Sequence, residues 1–224
     1  MSTLLEPLHE RHFEQLHALF DSVCRERRFL AFTQAGPREQ TFAYYQGIVT
    51  AGGIHFVALS GEQLVGWCDV LTLMGQMRAH SSVLGMAVAK DFRGQGIGRQ
   101  LITKALAKAD ERGLKRVELT VHSENTNAQA LYKSVGFAFE GTQRRGWCLD
   151  GQYFDVHYMA RLADAPLEGL PPRSQPAESF VFPTSRTGTA SNGSRARAAR
   201  RGEVPRTLDA PRPRTRSCRP SPAA

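Results

Sequence analysis

Nowhere in these 224 residues does an uninterrupted apolar run approach the ~18 needed to cross a bilayer, and the N-terminal stretch has no basic patch followed by an apolar segment of the secretory kind. These absences exclude a helical membrane span and predict a soluble, cytoplasmic protein with no membrane partner. Cysteine is scarce. Cys24, Cys68, Cys148 and Cys218 show no Cys-x-x-Cys spacing and no histidine cluster nearby, so neither a zinc site nor a disulfide framework is indicated and free thiols are expected. Lysine is missing from residue 163 onward, where 11 Arg stand against 5 acids for a charge of +6, whereas residues 1–162 hold 18 basic and 16 acidic residues, only +2. The basic excess therefore belongs to the tail, and no nucleic-acid partner is expected for the domain before it. Ten of the twelve prolines also fall in residues 163–224, with Ser, Gly and Thr and almost no apolar periodicity. Such a segment cannot bury enough surface to offset chain entropy, so a disordered tail follows a single domain at residues 3–162. Two readings stay open for the tail, a phosphate-seeking arm and an accidental extension.

Within the domain, residues 82–112 organise the rest. An apolar run (Val83, Leu84, Met86, Ala87, Val88) predicts a buried strand. After a short turn come three glycines at alternate positions in Arg93-Gly94-Gln95-Gly96-Ile97-Gly98, and then Leu101, Ile102, Ala105, Leu106 and Ala109 at helical spacing, with Gly113 as the stop. Glycines let a backbone turn sharply and approach a ligand, and the free N–H groups of a helix start attract phosphate. With Arg93 and Arg99 alongside, a diphosphate-bearing ligand is expected. A Walker-type loop is excluded because no lysine follows these glycines. A dinucleotide fingerprint starting at Gly96 and Gly98 puts Leu101 where the third glycine belongs, although Glu118 lies 20 residues past Gly98.

The pattern Arg93-x-x-Gly96-x-Gly98 between strand and helix resembles the acetyl-coenzyme A loop of the GCN5-related N-acetyltransferases, the GNAT superfamily. A second segment, Asn125-Thr126-Asn127-Ala128-Gln129-Ala130-Leu131-Tyr132-Lys133-Ser134-Val135-Gly136-Phe137, resembles that family's Asn-x-x-Ala-x-x-Leu-Tyr-x-x-x-Gly-Phe signature. The resemblance spans residues 3–162, and its last part is similar to the small-amine and amino-acid branch. It implies an α+β (mixed α/β) fold with a central, mostly antiparallel sheet of about seven strands and about four helices. It also implies an enzyme with acetyl-CoA as co-substrate and no metal, a small-molecule amine as acceptor, and a possible homodimer. The most direct acceptor is an amino acid or amino-acid-like metabolite. The alternatives are a protein N-terminus or, outside enzymes, coenzyme A sensing.

Carried onto this sequence, the resemblance gives backbone N–H groups of Gly94, Gln95, Gly96, Ile97, Gly98, Arg99 and Gln100 to the pyrophosphate, with Arg93 and Arg99 assisting. Met86, Ala87 and Val88 would meet the pantetheine arm and polarise the thioester carbonyl; a donor of that kind is worth roughly 3–4 kcal/mol. Asn125 would contact the coenzyme, cap the following helix, or both. Tyr132 would protonate the departing thiolate, a task suited to a phenol near pKa 10 facing a thiol near 8.5. The general base is left open. Val83 stands where related enzymes often carry an acid, and Glu118, His80 and His122 are candidates. An acceptor with an α-amine of pKa near 8, which is partly neutral without help, needs no protein base.

The remaining pattern predicts a first strand at 3–8, a helix at 10–28, a second helix opening at Pro37 and running through Thr50, and a hairpin of strands 54–59 and 64–73. Strands are also expected at 116–122, about 138–144 and 152–161, with a helix ending before Gly136. The resemblance places Phe29, Phe32, Phe42, Tyr44 and Tyr45 over the acceptor pocket, although aromatics at such spacing also serve as plain core. Asp69, inside an apolar strand pattern, reads as an outward-facing residue.

Overall fold

The computed structural model describes residues 3–163; the expected tail, apart from Ala163, lies outside the described residues. Seven strands, β1 (Thr3–Pro7), β2 (Ile54–Ser60), β3 (Gln63–Thr72), β4 (Ser81–Val88), β5 (Arg116–His122), β6 (Ala138–Leu149) and β7 (Gln152–Leu162), form one sheet in the order β1-β2-β3-β4-β5-β7-β6. Every neighbouring pair is antiparallel except β4 and β5. Among the described residues there are four α-helices, α1 (Phe13–Arg25), α2 (Arg38–Thr50), α3 (Ile97–Glu111) and α4 (Thr126–Ser134). This is the mixed, mostly antiparallel α+β architecture that the sequence implied.

The helices cover both faces. On one, the stripe Leu101, Ile102, Ala105, Leu106 and Ala109 of α3 is buried against Phe56, Cys68, Val70 and Leu119, with Tyr132 of α4 in the same cluster. On the other, Phe13, Leu16, Leu19 and Val23 of α1 and Tyr45 of α2 pack on Val57, Leu64 and Trp67. One extra residue decides which side chain goes where. Ala58 pairs with Gly66 but Leu59 with Leu64, so Val65 bulges out of the ladder. Past that bulge the alternation is reset: Cys68 and Val70 face α3, while Trp67 and Asp69 face α1 and α2.

Several boundaries differ from the sequence reading, each for a local reason. The stretch expected as one helix at 10–28 is a short 3-10 turn, Glu10–His12, followed by α1, which stops at Arg25 because Arg27 adopts a left-handed φ of 52°. Pro37 stands just before α2, with φ −53° and ψ 136°, and caps it instead of opening it. Strand β6 continues to Leu149, past the expected 144, by absorbing irregularities between Gln143 and Trp147.

The feature that positions the site is a gap. The parallel pairing of β4 with β5 covers only Ser81, Ser82 and Val83 against Arg116, Val117 and Glu118. From Leu84 onward β4 stays on β3 while β5 stays on β7, and the two parallel strands part.

Candidate active site

At the wide end of this gap the chain leaves β4 and enters α3 through the glycine loop. Gly94 and Gly96 have φ of 76° and 81°, and Gly96 is the left-handed residue just before the helix. A Cβ there would meet no protein atom within 4 Å, so the space above the loop is open. The backbone N–H groups from Gly94 to Arg99 have no hydrogen-bond partner among the described residues, whereas Gln100 N–H bonds to the Gly96 carbonyl at 3.1 Å. Of the expected donors, Gln100 is therefore already taken within the helix start. Open space, unpaired donors and a helix start fit a pyrophosphate. Gly96→Ala would force a Cβ into left-handed backbone at about 1–2 kcal/mol. Coenzyme A affinity measured by calorimetry is expected to fall roughly tenfold; an unchanged affinity would place the phosphates elsewhere.

Both arginines already have protein partners. Arg93 Nε donates to the Val88 carbonyl at 2.9 Å, and its guanidinium grips the Glu26 carboxylate at 2.5 and 2.7 Å, against the Phe29 ring. Its charge is thus balanced by the α1–α2 connection, and it acts as a tie across the end of the gap. Arg99 donates to Ser134 Oγ at 2.8 Å, joining α3 to α4.

The strand edge inside the gap follows from alternation. Ala89 N–H bonds to the bulged Val65 carbonyl on β3, so Ala87, of the same parity, also turns its backbone to β3. Met86 and Val88 turn theirs into the gap, where Arg93 meets Val88. Of the three expected strand contacts, Met86 and Val88 thus turn their backbone groups into the gap and Ala87 does not; its side chain joins the α1 cluster. Asn125 accepts the Ala128 N–H at 3.2 Å as the cap of α4, which leaves its amide NH2 free to point elsewhere. Tyr132 is buried, its ring 5.9 Å from that of Phe137. Burial, then the neighbouring Cys68, pushes its phenol well above the ordinary range, so it remains protonated at physiological pH.

On the α1–α2 face, the base candidates from the sequence are spread apart. Val83 is partly exposed and apolar. Glu118 is tied to Arg116 at 2.9 Å and faces Arg78 at 3.8 Å. His80 lies at the closed end of the gap, its carbonyl receiving Lys115 and Arg116 N–H groups. His122 is buried between Trp147 and Phe154, with Nδ1 accepting Glu124 N–H at 3.2 Å. It lines a cavity of about 140 Å³ with Arg27, Arg28, Trp147 and Phe154. A larger recess, about 420 Å³, lies at the far end of α3 around the Asp110–Arg161 ion pair, away from the gap.

Asp69 is the residue that the sequence reading missed. It is directly opposite Gly85 on β4 and His55 on β2, with its carboxyl lying over the glycine: a Cβ at Gly85 would be 2.9 Å from Asp69 Oδ1. It is half-buried on the face of the sheet that α1 and α2 cover. Desolvation pushes its carboxyl up to about 7, and a hydrogen bond from the Trp67 side chain draws it partly back. The bulge at Val65 moved it to this face, and a single acid in an otherwise apolar strand was the signal that could have marked it.

A model of the acetyltransferase (GNAT) family matches residues 16–137, more than half of the chain. The chain belongs to the GNAT family. Among curated relatives, this GNAT chain is 27% identical to the L-amino acid N-acetyltransferase AaaT of Escherichia coli over 150 residues, 66% of this chain and 88% of that one. It is 37% identical to the N-alpha-acetyltransferase RimI of Mycobacterium tuberculosis over 108 residues, 48% of this chain and 65% of that one. The fold matches a phosphinothricin acetyltransferase from Sinorhizobium meliloti, in complex with acetyl-CoA, with a TM-score of 0.68 at 16% identity, covering 77% of this chain and 97% of that one. As a GNAT member the chain is an acetyl-CoA-dependent N-acetyltransferase. Among the described residues no cluster of three metal-ligating side chains occurs, and no helix is long and apolar enough to cross a membrane.

Proposed function

We propose that the domain at residues 3–162 transfers the acetyl group of acetyl-CoA directly to the α-amine of an amino acid or a close relative of one. One observation carries the acceptor class. The cavity on the α1–α2 face places Arg28, which has no carboxylate partner among the described residues, beside the apolar surfaces of Leu30, Trp147 and Phe154. Its neighbour Arg27 is already held by Asp150 at 2.7 Å. A guanidinium that rests on the Phe29 ring and has no carboxylate of its own among the described residues, at the edge of a recess with apolar walls, suits a molecule with one carboxylate and a side chain. The similarity to an L-amino acid acetyltransferase supports the same class.

In this reading acetyl-CoA supplies the activated acyl group. The N–H groups from Gly94 to Arg99 hold its pyrophosphate, Met86 and Val88 hold its arm and polarise the thioester carbonyl, and the Asn125 amide gives a further contact. Tyr132 donates a proton to the thiolate. The free thiols among the described residues suit a reducing, cytoplasmic setting.

The test is release of coenzyme A thiol from acetyl-CoA by the purified protein over the twenty amino acids, polyamines and N-terminal peptides. Turnover on amino acids is expected. Arg28→Ala is expected to raise KM for the amino acid roughly tenfold or more, the cost of one charge-assisted hydrogen bond, with kcat little changed. Turnover on peptides alone would favour the second reading, acetylation of a protein N-terminus, which the 37% identity to an N-alpha-acetyltransferase supports.

A further inference from the structure

Three observations converge on the root of the β4–β5 gap. First, β4 leaves β5 just after Val83, so Gly85 borders the opening on the α1–α2 face. Second, Asp69 fills the space that a side chain at Gly85 would occupy. Third, the row across the sheet on this face, His55–Asp69–Gly85, is polar in the middle of an apolar core. His55 is buried with neither ring nitrogen hydrogen-bonded among the described residues.

We propose that the Asp69 carboxylate is the general base of the reaction, with Gly85 as the positioning residue that lets it reach over β4 to the acceptor amine. This rests on the acetyl-transfer reading above. The acceptor arrives as an ammonium. Asp69 takes one proton from it, and the freed nitrogen lone pair attacks the acetyl carbonyl carbon. The C–N bond forms as the C–S bond breaks, and the sulfur leaves with the electron pair and takes a proton from Tyr132. The second proton on nitrogen passes out to restore the phenol, and Asp69 later releases its own to solvent. The reaction nets one amide, one thiol and one proton.

The surroundings suit a base that must accept and release protons near neutrality. His55 from β2, Tyr44 and Tyr45 from α2 and the Trp67 indole from β3 face the carboxyl, and Cys24 of α1 stands behind Tyr45. Desolvation lowers His55 to about 4 and raises both tyrosines and Cys24, so all four are neutral around pH 7 and Asp69 is the group that changes charge there.

The experiment is the pH dependence of kcat/KM between pH 5 and 9 for wild type, Asp69→Asn and Gly85→Ala, with acetyl-CoA and the best amino acid of the panel. Slow hydrolysis of acetyl-CoA, with water as the acceptor, is followed in parallel. Wild-type rates are expected to rise through an apparent pKa near 7. Asp69→Asn is expected to lose that limb and at least 30-fold in kcat while keeping its KM for acetyl-CoA. Gly85→Ala, which keeps the acid but displaces it, is expected to shift the limb. If Asp69→Asn keeps both the rate and the limb, Asp69 is not the base and acetyl transfer to amino acids stands. If no amino acid turns over, the acceptor reading fails, and hydrolysis decides the base alone: the same loss in Asp69→Asn upholds it, and an unchanged profile overturns it.

Discussion

Replacing Tyr132 by phenylalanine is expected to lower kcat by about 100-fold, the scale of one positioned proton donor, while coenzyme A affinity and the fold are kept. The substitution removes a single oxygen. The ring stays in the α3–α4 cluster beside Phe137, so the packing of α4 is preserved. Burial holds the phenol protonated throughout the working range and also makes it a weaker acid, so it gives its hydrogen bond and proton only as charge develops on the departing sulfur. Loss of that proton raises the barrier for C–S cleavage without touching the binding of either substrate, so KM values should move little. The check is steady-state kinetics beside a thermal melt. An unchanged kcat would reduce Tyr132 to a core residue and leave the thiolate to depart without help.

The second large effect is on stability, and its sign runs against intuition. Asp69→Asn is expected to make the protein more stable above pH 7, by about 2–4 kcal/mol. The folded state holds the carboxyl at about 7, against 3.8 when solvated. Each pKa unit is worth about 1.4 kcal/mol, so ionising the folded form costs up to about 4 kcal/mol relative to the unfolded chain. The group's favourable contribution is fully present below pH 4 and is lost as pH rises through 7. Asparagine carries no charge at any pH and keeps an oxygen for the Trp67 indole. Melts at pH 4 should therefore nearly coincide with wild type, and melts at pH 8 should diverge, with the variant higher. Equal shifts at both pH values would show that the carboxyl is not desolvated. A residue whose removal strengthens the fold at working pH while weakening turnover marks a site where stability has been given up for chemistry.

The parts whose physics is local were legible along the chain. The alternate glycines 94, 96 and 98, the α3 stripe from Leu101 to Ala109 and the Asn125–Phe137 segment announced the phosphate loop, its helix and the second signature, because a helix start, a helical period and a cap each need only neighbours along the chain. These segments also carried the family. Contacts between distant segments set the rest. The pairing of Arg93 with Glu26 reaches across 67 residues, and no spacing rule connects them. Which of Met86, Ala87 and Val88 turn backbone groups into the gap depends on which edge of β4 faces β3. Above all, the face of Asp69 depends on one bulged residue, Val65: without it strict alternation from Leu64 puts the acid on the α3 face, and with it the same acid lies over Gly85 at the root of the gap. A period of two is legible in a sequence, but the point at which a strand slips by one residue is set by its partners across the sheet, since the backbone groups released by the bulge must find acceptors and donors there, as Val65 does in Ala89.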